Sequence, residues 1–258
     1  MEYHAPGSYS YRKETALMLT VRNLHKIYGK YHALSGLDMN VGDGALYGFV
    51  GPNGAGKTTT LKIMTGLLGA EEGSVTINGK DALRDLGELK GMIGYVPDFF
   101  GVYDNLTVAE YMSFFASCYQ LDGLMARKRY TALLEQVGLE DKLDVRMGAL
   151  SGGQRQAGGL LMATMTPLKF LILDEHTAAL DPKTAEVIMA LTDRVIREKH
   201  LTAMMVTHNL RYAVEYGDRI LMMNRGRVVL DRAGAEKRAT SMDDILTMFN
   251  QISLETGN

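Results

Sequence analysis

The run Gly51-Pro52-Asn53-Gly54-Ala55-Gly56-Lys57-Thr58-Thr59 puts glycines, an ammonium and hydroxyls in the order that a nucleoside triphosphate needs. Glycines let backbone N–H groups turn inward around a β-phosphate. A helix beginning at the lysine adds roughly half a positive charge at its N-terminus. Lys57 is then placed to reach the β- and γ-phosphates, and the Thr58 hydroxyl to ligate Mg²⁺. A second pair of groups completes this chemistry. The apolar run Phe170-Leu171-Ile172-Leu173 delivers Asp174 to the C-terminal end of a buried strand, where a carboxylate can hold the Mg²⁺ shell. Glu175 follows at once, and a carboxylate beside the metal-holding one can polarise the water that attacks the γ-phosphate.

These groups act only if the chain places them, and the flanking pattern predicts that it does. Residues 45–50 read as a buried strand entering the cradle, and 58–65 as the helix leaving it, closed by Gly66. Short strands are predicted at 17–21, 36–41, 74–78 and 92–96, the last ended by Pro97. Thr107-Val108-Ala109-Glu110 has the pattern of a helix cap before an apolar-periodic run to Gln120, and 124–137 reads as a second helix stopped by Gly138. These helices form an expected inserted subdomain over about 98–165. A parallel sheet resumes at 170–174 and 201–207, with a crossover helix capped by Asp181 and carrying Pro182 in its first turn. A hairpin turning at Asn224-Arg225-Gly226 and a short helix over 241–250 end the chain. The expected fold is α/β, a P-loop NTPase core with an antiparallel β layer and an α-helical insert. Its expected division is a flexible leader over 1–16, an ATPase domain over 17–231 and a C-terminal extension over 232–258.

Composition narrows the setting. A chain of 258 residues with a net charge of -2 lacks the general basic surface of a nucleic-acid binder, so no nucleic-acid partner is expected. Its one cysteine, Cys118, falls in an apolar helical stretch and reads as a structural thiol in a reducing compartment. No uninterrupted apolar run is long enough to span a bilayer, so a link to a membrane must come through a partner.

Leu150-Ser151-Gly152-Gly153-Gln154-Arg155-Gln156 resembles the signature motif of ATP-binding cassette proteins. Ser151 and Gln154 also fit a capping box, and a helix start bearing a hydroxyl and glycine N–H groups is a second anion-binding device. The resemblance implies two subunits paired head to tail, with Ser151, Gly152, Gly153 and Gln154 of one meeting the γ-phosphate in the cradle of the other. The second subunit is expected to be another copy or a paralogous ATPase. It further implies that Tyr28 stacks on adenine, with Tyr31 as the fallback, and that the loop Ala179-Leu180-Asp181 crosses the dimer interface. His208 matches a switch histidine at the γ-phosphate. ATP and Mg²⁺ are the implied cofactors, and the catalytic set is Lys57, Glu175 and His208.

Three departures stand out. Asp98 takes the place of the glutamine that usually senses the metal and relays its state to the membrane partner, which makes Asp98 a candidate metal ligand beside Thr58 and Asp174. His176 stands where proline commonly follows the glutamate. Gly158 and Gly159 lie inside the signature helix at a cost of about 1 kcal/mol each relative to alanine, unless close packing uses the missing side chains.

The resemblance extends from Leu17 to about Leu230, with Tyr95-Val96-Pro97-Asp98-Phe99-Phe100-Gly101-Val102-Tyr103 similar to exporter-type ATPases. From Ser151 onward, notably Asp174 to Thr184, it is similar to putative tryptophan/tyrosine-type importer ATPases. This suggests a mosaic joined near the signature. The favoured expectation is the ATPase subunit of a membrane transporter on the cytoplasmic face, bound to transmembrane permease subunits near Asp98 to Tyr103. The alternatives are a soluble cassette ATPase or an ATP-dependent regulatory subunit.

Overall fold

The computed structural model describes residues 17–98, 101–121 and 123–256, with side chains as far as Ile252. The expected leader over 1–16 and Phe99 and Phe100 lie outside the described residues.

The chain opens with two long antiparallel strands, β1 (Leu17–Tyr28) and β2 (Tyr31–Gly42), and then enters the buried strand β3 (Leu46–Val50). Helix α1 (Lys57–Met64) follows the cradle and stops at Gly66, which has φ 70. Next come β4 (Glu72–Ile77), the short β5 (Lys80–Asp81), the single-turn α2 (Leu86–Leu89) and β6 (Ile93–Val96). The helical part holds α3 (Val108–Cys118), α4 (Gly123–Glu135) and α5 (Gly152–Ala163). The α/β alternation then resumes with β7 (Phe170–Asp174), α6 (Pro182–Glu198), β8 (Thr202–Val206), α7 (Leu210–Tyr216) and β9 (Arg219–Asn224). The chain closes with β10 (Arg227–Ala233), α8 (Gly234–Ala239) and α9 (Met242–Thr256).

Two sheets result. One is antiparallel with order β2-β1-β4-β5, and the other has order β10-β9-β3-β8-β7-β6, in which only β10 runs antiparallel to its neighbour. The central strands are apolar on both faces, and successive side chains divide between two cores, as the period of two requires. Phe170 and Ile172 join Phe49, Leu61 and Leu34 between the sheets, whereas Leu171 and Leu173 join Ile188, Met189 and Val195 of α6 on the other side. A third core gathers α3, α4 and the end of α5 around Tyr111, Tyr130 and Leu161.

Several expectations change in extent. The strand expected over 17–21 runs on to Tyr28, because Asn23 takes a left-handed φ of 44 at a break in register that the pattern of apolar residues does not signal. The terminal helix is longer than expected. Its Ile245 and Ile252 pack with Val50, Ile220 and Met222, so this extension is part of the packed body. Cys118 ends α3 and is exposed, not a packed core thiol.

Candidate functional site

The cradle is gripped by backbone from both sides. Gly56 has φ 105, and a Cβ there would lie 2.6 Å from the carbonyl oxygen of Ala33. Gly51 has φ 151, and its Cβ would lie 2.4 Å from that of Met223. Only glycine fits at either place. The hairpin turn between β9 and β10 supports the loop, with Gly226 N–H donating to the Ala55 carbonyl at 2.9 Å. Arg225 and Gly226 both have positive φ, as a two-residue hairpin turn of this hand requires.

Helix α1 starts at this loop with no side-chain cap and no acid in its first turn, so its leading N–H groups are available to an anion. Lys57 is buried and its Nζ donates to the carbonyls of Gly51 at 2.7 Å and Pro52 at 3.0 Å. Burial pushes its pKa down, against the opposing pull of Glu175 and Asp174. A cavity of about 170 Å³ opens here, lined by Tyr28, Tyr31, the loop from Asn53 through Thr59, and Glu175. Tyr31 is tied to the loop, its hydroxyl donating to the Gly54 carbonyl at 2.7 Å. Tyr28 stands at the exposed end of β1 with the Lys26 ammonium 5.6 Å from its ring centroid.

Asp174 is the last residue of β7, and its Oδ2 accepts a hydrogen bond from the Tyr95 hydroxyl at 2.8 Å. Burial pushes the Asp174 carboxyl up, and the charge of Asp98 adds to this. The Tyr95 bond, Lys57 and Lys62 pull it back. Burial and the Asp174 contact raise the Tyr95 phenol. Tyr95 is a site residue that the sequence reading passed over. Its signals there were the predicted strand over 92–96 and the exporter-like stretch that it opens.

Glu175 takes a left-handed backbone with φ 52. Its N–H donates to the Val206 carbonyl at 2.9 Å, and its Oε1 lies 2.6 Å from His208 Nε2. His208 is placed by the turn into α7, where Asn209 caps the helix by accepting from Arg211 N–H at 3.1 Å. Beside them His176 is 2% exposed, and burial alone pushes its pKa down to about 4.

Ser151 caps α5 in a reciprocal box. Gln154 N–H donates to Ser151 Oγ at 3.2 Å, and Ser151 N–H donates to Gln154 Oε1 at 2.9 Å. Gly153 lies so close to α6 that a Cβ would meet Thr184 Cγ2 at 2.4 Å. Neither Ser151 nor Gly153 lines the cavity around Lys57. With Gln154 they border a groove of about 850 Å³ between α5 and α6. The structure therefore brings Lys57, Thr58, Thr59, Glu175 and Tyr28 to one cavity and leaves the signature residues apart from it. Among the described residues no three His, Cys, Asp or Glu side chains cluster as a metal site. Asp98 acts on Asp174 through its charge, and the preceding Pro97 carbonyl accepts from Gln156 of α5 at 3.3 Å.

A family model described as ABC transporter matches residues 34–178. The tyrosine transport ATP-binding protein of Clostridioides difficile is 37% identical over 249 residues, covering 90% of this chain and 98% of that protein. The daunorubicin resistance ATP-binding protein DrrA2 of Streptomyces coeruleorubidus is 34% identical, covering 81% of this chain and 64% of its own length. Both alignments are too long to stop at residue 150, so the two kinds of relative overlap along the chain. Among solved structures, a dimeric post-hydrolysis state of an ATP-binding cassette bound to ADP and Pi superposes with a TM-score of 0.73 at 30% identity. It covers 84% of this chain and 98% of that one.

Proposed function

The chain belongs to the ABC transporter family as an ATP-binding subunit that hydrolyses ATP to power transport, and from that premise we propose how its residues divide the work. ATP lies in the cradle formed by Gly51 to Thr59, with its phosphates on backbone N–H groups of that loop, to which Pro52 contributes none, and on Lys57, and adenine against Tyr28. A second copy, or a paralogous ATPase, supplies Ser151, Gly152, Gly153 and Gln154 to the γ-phosphate, so nucleotide joins two subunits head to tail. The observation that carries this reading is the separation of the signature helix from its own cradle: an uncapped anion site and an exposed capped one face different cavities of the same chain.

Glu175 polarises the attacking water, and His208, at 2.6 Å from its carboxylate, orients it and reaches the γ-phosphate. The donor set suits Mg²⁺. Thr58 offers a hydroxyl, and Asp174 is a half-buried carboxylate pressed by the charge of Asp98, which a cation relieves. A hard ion that keeps waters and phosphate oxygens needs few protein ligands. When bound, Mg²⁺ neutralises charge on the phosphates.

Permease subunits are the partners on the membrane side, and the chain sits peripherally on the cytoplasmic face. Among the described residues no helix is long and apolar enough to cross a membrane. The contact surface lies after Asp98, where Tyr103 and Phe114 are 61% and 46% exposed and pack edge to face with centroids 5.9 Å apart. Asp98 carries the state of the nucleotide site to that surface.

Glu175→Gln tests the assignment. With ATP and Mg²⁺ the variant is expected to sediment as a dimer while hydrolysis falls by about 10²–10⁴. A variant that hydrolyses at the wild-type rate would overturn the role given to Glu175.

A further inference from the structure

His176 carries a buried polar side chain that this chemistry does not use. Its Nε2 lies 3.1 Å from Oγ1 of Thr192, which is itself fully buried in the middle of α6. The Thr192 hydroxyl donates to the Ile188 carbonyl at 2.8 Å, so its hydrogen is committed, and its oxygen accepts from the imidazole N–H. The loop that leaves β7 is thereby tied to a helix that packs along its length through Ile188, Met189, Val195 and Ile196.

The neighbour in sequence is the residue that needs holding. A left-handed backbone at a glutamate costs on the order of 1–3 kcal/mol and persists only where the surroundings fix it. On the strand side Glu175 is fixed by its N–H bond to Val206, and on the loop side by its own carbonyl, which accepts from Ala178 N–H at 2.9 Å. Those bonds hold the peptides on either side of Glu175, and the imidazole adds a side-chain anchor that ties the next residue to α6. A proline at 176 would offer Thr192 no hydrogen-bond donor.

We propose that the His176–Thr192 hydrogen bond is a positioning device that holds Glu175 in its left-handed conformation, with its carboxylate against His208. His176 is a positioning residue: it acts through Glu175. The proposal rests on Glu175 being the base.

The test compares Thr192→Val, which keeps shape and removes the acceptor, with Thr192→Ser, which keeps the hydroxyl. Full-length protein is used, and Glu175→Gln forms a separate arm. Thr192→Val is expected to lower kcat at least about tenfold with KM for ATP and binding of a fluorescent ATP analogue unchanged, while Thr192→Ser keeps the wild-type rate. A crystal structure of Thr192→Val is expected to show Glu175 at negative φ. Wild-type kcat in Thr192→Val, equal losses in both variants, or a rate that falls only in step with nucleotide binding would each overturn the proposal. So would an unchanged φ at Glu175. Full hydrolysis by Glu175→Gln would instead overturn the role of the base, and the backbone measurement still judges the anchor separately.

Discussion

At the scale of single residues, the loop after β7 concentrates three different environments in three consecutive side chains. Asp174 is desolvated and held by a phenol, Glu175 faces His208 from a left-handed backbone, and His176 is sealed in the core. The last of these makes stability depend on pH. Above pH 6.5 neither the folded nor the unfolded state protonates this imidazole, and it contributes nothing. Between 6.5 and about 4 the unfolded chain takes up a proton that the buried ring refuses, so stability falls as pH drops. The loss reaches about 3 kcal/mol near pH 4. Urea unfolding of the metal-free protein across this range is expected to show that loss, and His176→Phe is expected to lack it. Equal pH slopes for the two proteins would contradict the buried neutral ring. The apolar run ahead of them made Asp174 and Glu175 legible at a strand end, and the resemblance singled out His208. The bond to Thr192 was not legible, since it joins a loop to a helix position sixteen residues on, and nothing in the apolar periodicity of α6 marks one threonine as a partner.

At the scale of elements, α5 combines a strong start with a weak middle. Its capping box satisfies the N–H groups of Ser151 and Gln154, and both partners were readable from the serine and glutamine three residues apart. Its glycines differ in what they do. A Cβ at Gly153 would collide with Thr184, whereas one at Gly158 would meet nothing within 4 Å. Gly158→Ala is therefore expected to raise unfolding stability by about 1 kcal/mol, through the gain in helix propensity. Gly153→Ala is expected to lower it, because a β-branched neighbour must give way. Chemical denaturation of both variants checks this, and stabilisation by Gly153→Ala would refute the close packing of α5 on α6. The same scale shows where reading a sequence falls short. The second half of β1 was missed because a left-handed asparagine breaks the alternation, and α7 was missed because seven residues give too few turns for a period to show.

At the scale of the whole molecule, two anion-binding helix starts that do not share a cavity predict a distinctive complementation. A copy disabled at Lys57→Ala and a copy disabled at Ser151→Ala should each hydrolyse ATP poorly alone. Paired head to tail, the cradle of the second meets the signature of the first, and one intact composite site results. Mixing the two is expected to restore hydrolysis above either alone, in a manner that saturates with total protein concentration. No recovery on mixing, with both variants folded, would argue for a site complete within one chain. The class of fold was legible from the alternation of apolar strands and amphipathic helices. The joining of cradle, hairpin and final helix into one body was not, because it depends on contacts between the two ends of the chain.

That joining also sets the order in which the molecule can be made. The strand that carries the cradle lies between β8 and β9, and Gly226 of the hairpin braces the loop through Ala55. A chain emerging from the ribosome has residues 51–59 in hand long before it has the neighbours that shape them. The phosphate-binding turn is thus among the last features to be finished, and such distant pairings close slowly. An incomplete chain has little means of capturing ATP before the rest of the machine exists to use it.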